Sequence, residues 1–297
     1  MAEVLNLVGL VSISWFIPLC RYDSRPLHPF PSLQVQAQEP NLVSNTVGFC
    51  APTTPWSSEG PTDTTFLLIG GARPNRERIM STPFLTSSEL GQVAKKLKWN
   101  STVKSRMALR YLAVITSVQF DGRKYPFTLE TGAANMDTGG GAIIGVPAIV
   151  ASAYFKAVSA RATALNMSAE QSGGSFCIKS TFSISSSDNV FLQPSAVALV
   201  KTAFPPITFT FRGGSGSGGA AKVLINSEDL ITHSYNEPGQ PYCSVIAPMT
   251  GPLTSVPTAF WPSQPFFRGR YTGFDRRRNQ LLITDHISCK KAKFVEQ

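Results

Sequence analysis

The sequence predicts a mainly β fold with one or two short helices. The 297-residue chain is 42% apolar and only 15% charged, with 23 glycines and 22 prolines. This composition favours a globular, sheet-forming chain over a disordered or helical one. Apolar runs of strand length, bounded by turn residues, recur along the chain. The length suffices for one large domain or two ordinary ones, each with its own core.

Residues 1–46 precede the predicted fold. The run 4–19 is mostly apolar but short for a bilayer-spanning helix, so we predict no stable membrane span. Glu3 stands where a secretion signal has Lys or Arg, and a signal-peptide core, a buried strand and a mis-started chain all remain open. Residues 21–62 are rich in Pro, Ser and Gln and predict a linker or loosely packed surface, with the fold starting near Val47.

Strand and helix patterns then follow in order. The segment "TFLLIGG" (65–71) predicts a buried strand that ends in a turn. Alternating apolar and polar residues on both sides of turn residues predict hairpins at 111–127, at 204–226 and at 270–284. The first of these has its turn at Asp121-Gly122. Apolar residues at helical spacing predict a helix over 146–165, entered from Pro147.

The net charge of +9 arises largely from two basic clusters. Residues 73–124 hold eleven basic and three acidic residues, and residues 268–293 hold eight and two. Neither stretch contains a recognised nucleic-acid-binding motif, and Arg276, Arg277 and Arg278 fall in a predicted hairpin turn. We therefore predict solvated loops and no nucleic-acid partner.

The five cysteines are widely separated and match neither Cys-x-x-Cys redox sites nor zinc sites. Such spacing suits long-range disulfides. Asn100 and Asn166 each begin a glycosylation sequon. Together these features favour a secreted, extracellular or vacuolar protein.

Three common kinds of site have no sequence support. The three histidines form no His-Glu-x-x-His or other paired spacing, so we predict no metal site and no cofactor. A Gly-x-Ser-x-Gly elbow, which a serine hydrolase would need, does not occur. The glycine-serine run 213–219 joins two predicted strands, whereas phosphate-binding loops join a strand to a helix.

The stretch "ANMDTGGGAIIGVP" (133–146) is the strongest candidate site. Asp137 lies between an apolar residue and a Thr-Gly-Gly-Gly turn, and an apolar strand-like run follows. Alone, this motif fits a plain turn in which the aspartate accepts backbone amides. The order of its neighbours along the chain favours a catalytic carboxylate instead.

From residue 47 to residue 289, successive segments resemble those of the pepsin-type aspartic endopeptidases, especially the plant nepenthesin-like branch. In order they are "VGFCAPTTPWSSEGPTDTTFLLIGG", "STPFL", "YLAVITSVQFDGRKYPF", "MDTGGGAIIGVPAIVASAYFKAV", "FPPITFTFRGG" and "YTGFDRRRNQLLITDHISC". The resemblance implies a pepsin-like acid-protease fold, essentially one C-terminal β-lobe with a remnant of the N-terminal lobe. The implied divisions are the apolar segment and linker (1–46), the lobe remnant with inter-lobe strands (47–110), the C-terminal lobe (111–289) and a basic tail (290–297).

The resemblance also implies roles for individual residues. Asp137 corresponds to the catalytic aspartate of the C-terminal lobe, and its active-site turn comprises Thr138, Gly139 and Gly140. The family has Thr or Ser where Gly140 stands. The implied disulfides are Cys50–Cys289 and Cys177–Cys243, with Cys20 left unpaired.

Members of this family hydrolyse peptides with two aspartates that share one proton. One carboxylate acts as general base on water and the other as general acid. This chain contains one Asp-Thr-Gly, and Trp261-Pro262 fall where the family has an apolar-apolar-Gly segment behind the catalytic turn. We therefore expect a truncated or diverged family member that takes peptide or protein substrates but is weak or inactive alone.

Two alternatives remain open. The chain also resembles secreted inhibitors of cell-wall-degrading glycosidases, in which the scaffold persists without its dyad, and its partner would then be such a glycosidase. In the other alternative, two copies pair so that two Asp137 side chains meet.

Overall fold

The structure is a computed structural model. It describes residues 46–51, 66–69, 73–74, 78–138, 143–172, 175–179, 200–213, 220–232, 242–249, 258–285, 287 and 294–295.

Strands outnumber helices in these residues, and the predicted mainly β class is confirmed. The strands are β1 (Thr46–Ala51), β2 (Phe66–Ile69), β3 (Arg73–Pro74), β4 (Ile79–Pro83), β5 (Leu112–Phe120), β6 (Arg123–Pro126), β7 (Ala133–Asn135), β8 (Ile144–Val146), β9 (Ser168–Ser172), β10 (Ser175–Lys179), β11 (Ile207–Phe211), β12 (Lys222–Ile225), β13 (Ile231–Thr232), β14 (Tyr242–Ser244), β15 (Ile246–Pro248), β16 (Trp261–Pro262), β17 (Arg270–Asp275), β18 (Gln280–Thr284) and β19 (Phe294–Val295). The helices are α1 (Ser87–Lys96), α2 (Ser101–Met107), α3 (Ala148–Ala164) and α4 (Gln264–Phe267), with a 3₁₀ helix at Ser227–Leu230. Residues 200–203 are also helical.

One antiparallel sheet joins the two ends of the described chain. Its strand order is β2-β1-β17-β18-β4, so strands near residue 50 pair with strands near residue 270. All six residues of the central strand β17 are buried. The predicted hairpin at 270–284 is confirmed, and Asn279 closes its turn at a φ of 52°, a left-handed conformation that Asn tolerates.

A second sheet has the order β12-β11-β5-β6, and β7 also pairs with β5. The predicted turn at Asp121-Gly122 is confirmed, because both residues have positive φ (50° and 72°), as a tight two-residue hairpin turn requires. The hairpin of β11 and β12 is confirmed as well. Along β11 every second residue is buried, which directs Phe209 and Phe211 into the core.

The predicted helix at 146–165 is confirmed as α3, which begins after Pro147. Val150, Tyr154 and Val158, spaced four residues apart, are fully buried on one face. The Tyr154 hydroxyl donates a hydrogen bond of 3.0 Å to the carbonyl of Pro205. This satisfies the polar end of a buried ring.

Helices α1 and α2 were not predicted, and α3, at 17 residues, is longer than the expected short helices. A capping box starts α1: the Thr86 hydroxyl accepts from the Glu89 amide at 3.3 Å, and the Glu89 carboxylate accepts from the Thr86 amide at 2.8 Å. The Asn100 side chain caps α2 by accepting from the Val103 amide at 2.8 Å. The Thr-x-x-Glu spacing was the sequence signal for α1.

Asp229 and Arg270 are both buried, with 0% of each residue exposed. Arg270 donates from Nη2 to the carbonyl of Leu224 at 3.1 Å and from Nε to the carbonyl of Arg268 at 3.0 Å. Burial raises the pKa of Asp229 to about 6, although the charge of the Arg270 guanidinium acts in the opposite direction and lowers it. Burial likewise lowers the pKa of Arg270 to about 10, while the Asp229 charge raises it.

We predict that Asp229 makes the fold less stable as the pH rises through about 6. The pKa of its carboxyl group is about 6 in the folded chain, against an ordinary value of 3.8 that applies to the unfolded chain. The folded chain therefore holds this proton more tightly than the unfolded chain does. The resulting stability is fully present below pH 3.8 and is lost as the pH rises through 6. The loss corresponds to about 2–3 kcal/mol of unfolding free energy.

Urea unfolding at about pH 4 and about pH 8 measures this difference. The difference shrinks in Asp229→Asn, whose side chain does not ionise. It persists in the control Asp121→Asn, which removes an exposed acid of the β5–β6 turn. Equal pH dependence in wild type and Asp229→Asn would contradict the assignment.

Candidate functional site

Asp137 lies just beyond β7, at the start of a turn. The preceding Met136 is buried, Asp137 itself is half-buried and Thr138 is exposed. The Met136 amide donates to the carbonyl of Tyr111 at 2.9 Å, which fixes the residue before the aspartate against the start of β5. Gly139 and Gly140 lie outside the described residues.

A second chain segment, 260–262, runs beside the strand that leads to Asp137. Ala134 and Phe260 form a parallel bridge. The Asn135 amide donates to the carbonyl of Phe260 at 3.0 Å, and the Asp137 amide donates to the carbonyl of Pro262 at 3.0 Å. The backbone of Asp137 is therefore held by this crossing segment, unlike a plain surface turn. The resemblance implies that the apolar-apolar-Gly segment, which lies behind the catalytic turn in that family, falls at this place.

The same crossing segment also pairs with β8, the strand that follows the turn. Trp261 lies opposite Gly145 in this antiparallel pairing. A Cβ atom on Gly145 would approach Trp261 Cβ to 3.0 Å and Met249 Sδ to 2.3 Å, so glycine permits the close approach. The buried Ser263 donates from its hydroxyl to the carbonyl of Ile143. The two strands that flank the turn are thus bound to one segment.

The indole of Trp261 contacts the candidate carboxylate directly. Trp261 Nε1 donates to Asp137 Oδ2 at 3.2 Å. Trp261 is half-buried, so this donor is partly shielded from water. The Trp261 indole thus contacts one oxygen of the aspartate, in the segment where the family that the sequence resembles has glycine.

Gly132 directly precedes β7, the strand that leads to Asp137, and sequence reasoning did not single it out. Its carbonyl accepts from the Ile115 amide at 2.9 Å. A Cβ atom on Gly132 would lie 2.1 Å from the Ile115 carbonyl oxygen and 2.7 Å from that of Thr128. Both are backbone atoms, so a side chain here displaces the strand. The sequence signal for this close packing was a glycine directly before a short apolar run.

One implied disulfide is present among the described residues. It joins Cys177 to Cys243, which lie directly opposite each other in the antiparallel pair of β10 and β14. Cys50 is also disulfide-bonded. Cys289, its implied partner, and Cys20 lie outside the described residues.

Both sequon asparagines are exposed. Asn100 uses its Oδ1 to cap α2. Asn166 lies in the turn after α3 with a φ of 55°. The positions of both residues are compatible with glycosylation, which stays a prediction.

Within the described ranges, no group of three or more His, Cys, Asp or Glu side chains is arranged to hold a metal ion. The three histidines of the sequence all lie outside those ranges. The helices of the described part are also too short or too polar to cross a bilayer.

No model of a known protein family matches this chain, and no curated protein matches it. The relation to aspartic endopeptidases is therefore a proposal supported by the ordered segments and by the geometry around Asp137.

We predict that Gly132→Ala destabilises the fold by more than about 2 kcal/mol, because its methyl group collides with two backbone carbonyls. The matched control is Gly91→Ala in α1, where an added Cβ meets no atom within 4 Å. The control should stabilise the protein by about 0.5–1 kcal/mol, since alanine favours a helix. Thermal unfolding of both variants measures these effects. A Gly132→Ala variant as stable as wild type would contradict the predicted close packing.

Proposed function

We propose that the chain is a pepsin-type aspartic endopeptidase homologue that contributes one of the two catalytic aspartates, Asp137, and that it does not hydrolyse peptides alone. The observation that best supports this proposal is that segment 260–262 crosses beside the strand that leads to Asp137. Its hydrogen bonds hold the aspartate in a defined backbone position. A catalytic aspartate needs such a fixed backbone position, whereas the aspartate of a plain surface turn does not.

The chemistry requires a second carboxylate. Two carboxylates a few ångströms apart cannot both ionise, so one holds a proton while the other activates water. A single aspartate cannot act as general base on water and as general acid on the carbonyl in the same step. The sequence supplies one Asp-Thr-Gly. We therefore expect the other aspartate to come from a polypeptide segment outside this sequence.

The contact between Trp261 and Asp137 favours a second candidate function, a non-catalytic binding protein. The indole donates to one oxygen of the Asp137 carboxylate, Oδ2, at 3.2 Å. In this function the scaffold recognises a secreted cell-wall-degrading glycosidase and inhibits it. Asp137 would then stabilise the turn through Trp261.

Incubation of the purified chain with a denatured protein at about pH 3 to 4 tests the first proposal. We expect no cleavage above the blank, with or without pepstatin. Efficient, pepstatin-sensitive cleavage by the chain alone would contradict the proposal that it is inactive.

A chimera tests whether Asp137 can act as one of the two catalytic aspartates. An N-terminal lobe with its own Asp-Thr-Gly turn, taken from an active pepsin-type enzyme, is fused ahead of Val47. We expect pepstatin-sensitive cleavage that falls roughly 100-fold or more in Asp137→Asn, because one member of the dyad is lost. The control Asp121→Asn keeps the rate. A chimera that is folded by circular dichroism yet inactive would contradict this role for Asp137.

The two functions also differ in a binding assay. If the chain is an inhibitor, it lowers the activity of a secreted xylanase without cleaving it, and Asp137→Asn keeps the inhibition. An endopeptidase homologue leaves the xylanase fully active under the same conditions.

A further inference from the structure

Leu109 is an exposed leucine in the turn that joins α2 to β5. It is 55% exposed, and the described residues contain two other large apolar side chains that are exposed. The Leu109 amide donates to the carbonyl of Arg106 at 3.3 Å, and the Arg110 amide donates to the carbonyl of Met107 at 3.1 Å. Hydrogen bonds between residues three apart place those residues on the same side of a turn. Leu109 therefore lies beside Arg106.

The chain around Leu109 is basic. From residue 90 to residue 120 it contains six basic residues and no acidic one. On α2, Val103 and Met107 pack into an apolar cluster with Leu90 of α1, so the polar residues of α2 remain on its outer surface. The exposed basic side chains of α2 and of the turn after it are Lys104, Arg106 and Arg110.

The turn between β17 and β18 brings further arginines to the same part of the molecule. Arg110 and Arg276 line one open depression, and the Arg276 guanidinium lies 5.6 Å from the centre of the Tyr111 ring. The next two residues of the turn are also exposed arginines. We define the Leu109 surface as the exposed side chains of Lys104, Arg106, Leu109, Arg110, Arg277 and Arg278.

The acids of the neighbouring elements are buried or already bonded. Asp275 is 3% exposed and lies 3.7 Å from the guanidinium of Arg278. In α1, Glu89 forms an ion pair with Arg212. The field at the Leu109 surface is therefore positive, which raises the local concentration of anions.

We propose that the Leu109 surface binds the interface of a membrane that carries anionic lipids. The lysine and arginine side chains contact the anionic headgroups, and Leu109 enters the boundary between headgroups and acyl chains. Long basic side chains suit this boundary, because their stems lie along apolar material while their charges stay in water. A soluble polyanion would use the same charges but would gain nothing from the exposed leucine. The proposal does not depend on a catalytic role for Asp137.

Co-sedimentation of the full chain with lipid vesicles tests the proposal. At least about tenfold more protein should bind phosphatidylcholine vesicles with about 30% phosphatidylserine than pure phosphatidylcholine vesicles, because the attraction needs anionic headgroups. Raising the ionic strength from about 0.05 M to about 0.5 M should release most of the protein, because salt screens the basic side chains. Binding to neither vesicle would overturn the proposal. Equal binding to both would also overturn it and would point to an apolar segment such as 4–19.

Substitutions of Leu109 separate the apolar contact from the charge. Leu109→Gln should weaken binding to the anionic vesicles about tenfold, because the leucine side chain no longer leaves water. Leu109→Trp should strengthen binding, since tryptophan favours the membrane interface. The matched controls are Leu224→Gln and Leu224→Trp, which should leave binding unchanged. Through Thr208, Leu224 lies level with Gln119, about 23 Å along β5 from Leu112 at the usual rise of a strand.

Substitutions of the basic side chains locate the charged contact. Lys104→Gln, Arg110→Gln and Arg277→Gln should each weaken binding roughly fivefold, because each removes one cation near the lipid headgroups. The matched control is Arg123→Gln, an exposed arginine opposite Phe120 at the far end of β5, with binding unchanged. A loss in Arg123→Gln as large as in Arg110→Gln would show that net charge alone acts and would overturn the proposed surface.

Polyglutamate and a short DNA duplex distinguish a membrane from other polyanions. Leu109→Gln should leave binding to either polymer unchanged while it weakens binding to the vesicles. If Leu109→Gln binds the anionic vesicles as wild type does, the surface recognises charge alone and the membrane proposal is wrong. The proposal is also wrong if the duplex binds at about 0.15 M salt and the anionic vesicles do not. Thermal unfolding checks that each variant keeps the fold.

Discussion

The crossing of residues 260–262 beside residues 133–137 is the constraint on which the candidate site depends. It fixes the backbone of Asp137 through the carbonyl of Pro262, and the bridge between Ala134 and Phe260 aligns the two segments. Gly145 permits the close approach of Trp261 on the far side of the turn, and Gly132 permits the close approach of the Ile115 and Thr128 carbonyls before it. A carboxylate on an exposed loop would sample many directions, whereas here a hydrogen bond to the crossing segment holds the main chain that carries it.

The electrostatics of the molecule divide into separate regions with different chemistry. At the turn, the Asp137 carboxylate accepts from the Trp261 indole. It is one carboxyl group where general-acid and general-base catalysis together need two. In the core, Asp229 lies near Arg270 in a setting that favours the protonated acid and so supports the fold at acidic pH. On the surface, helices α1 and α2 carry exposed lysine and arginine side chains.

Turn residues and apolar spacing along the sequence were sufficient to predict the hairpins and α3. Asp121-Gly122 supplies two positive φ angles between alternating segments, and α3 repeats apolar residues every four positions. Helices α1 and α2 were missed because they are short, although Leu90, Val93 and Ala94 follow helical spacing in α1 and Thr86 and Glu89 form its capping box. The contacts of Asp137 with Pro262 and Trp261 join residues about 125 positions apart. Single-sequence periodicity holds no information on such pairings.

Amide hydrogen exchange at Asp137 tests the central claim most directly, because its amide donates to the carbonyl of Pro262. If the crossing segment holds the turn, this amide exchanges as slowly as the buried amides of β5 and β17, which open only when the fold opens. If Asp137 lies on a plain surface turn, its amide exchanges at the rate of an unprotected peptide. Rapid exchange in an otherwise protected fold would contradict the account.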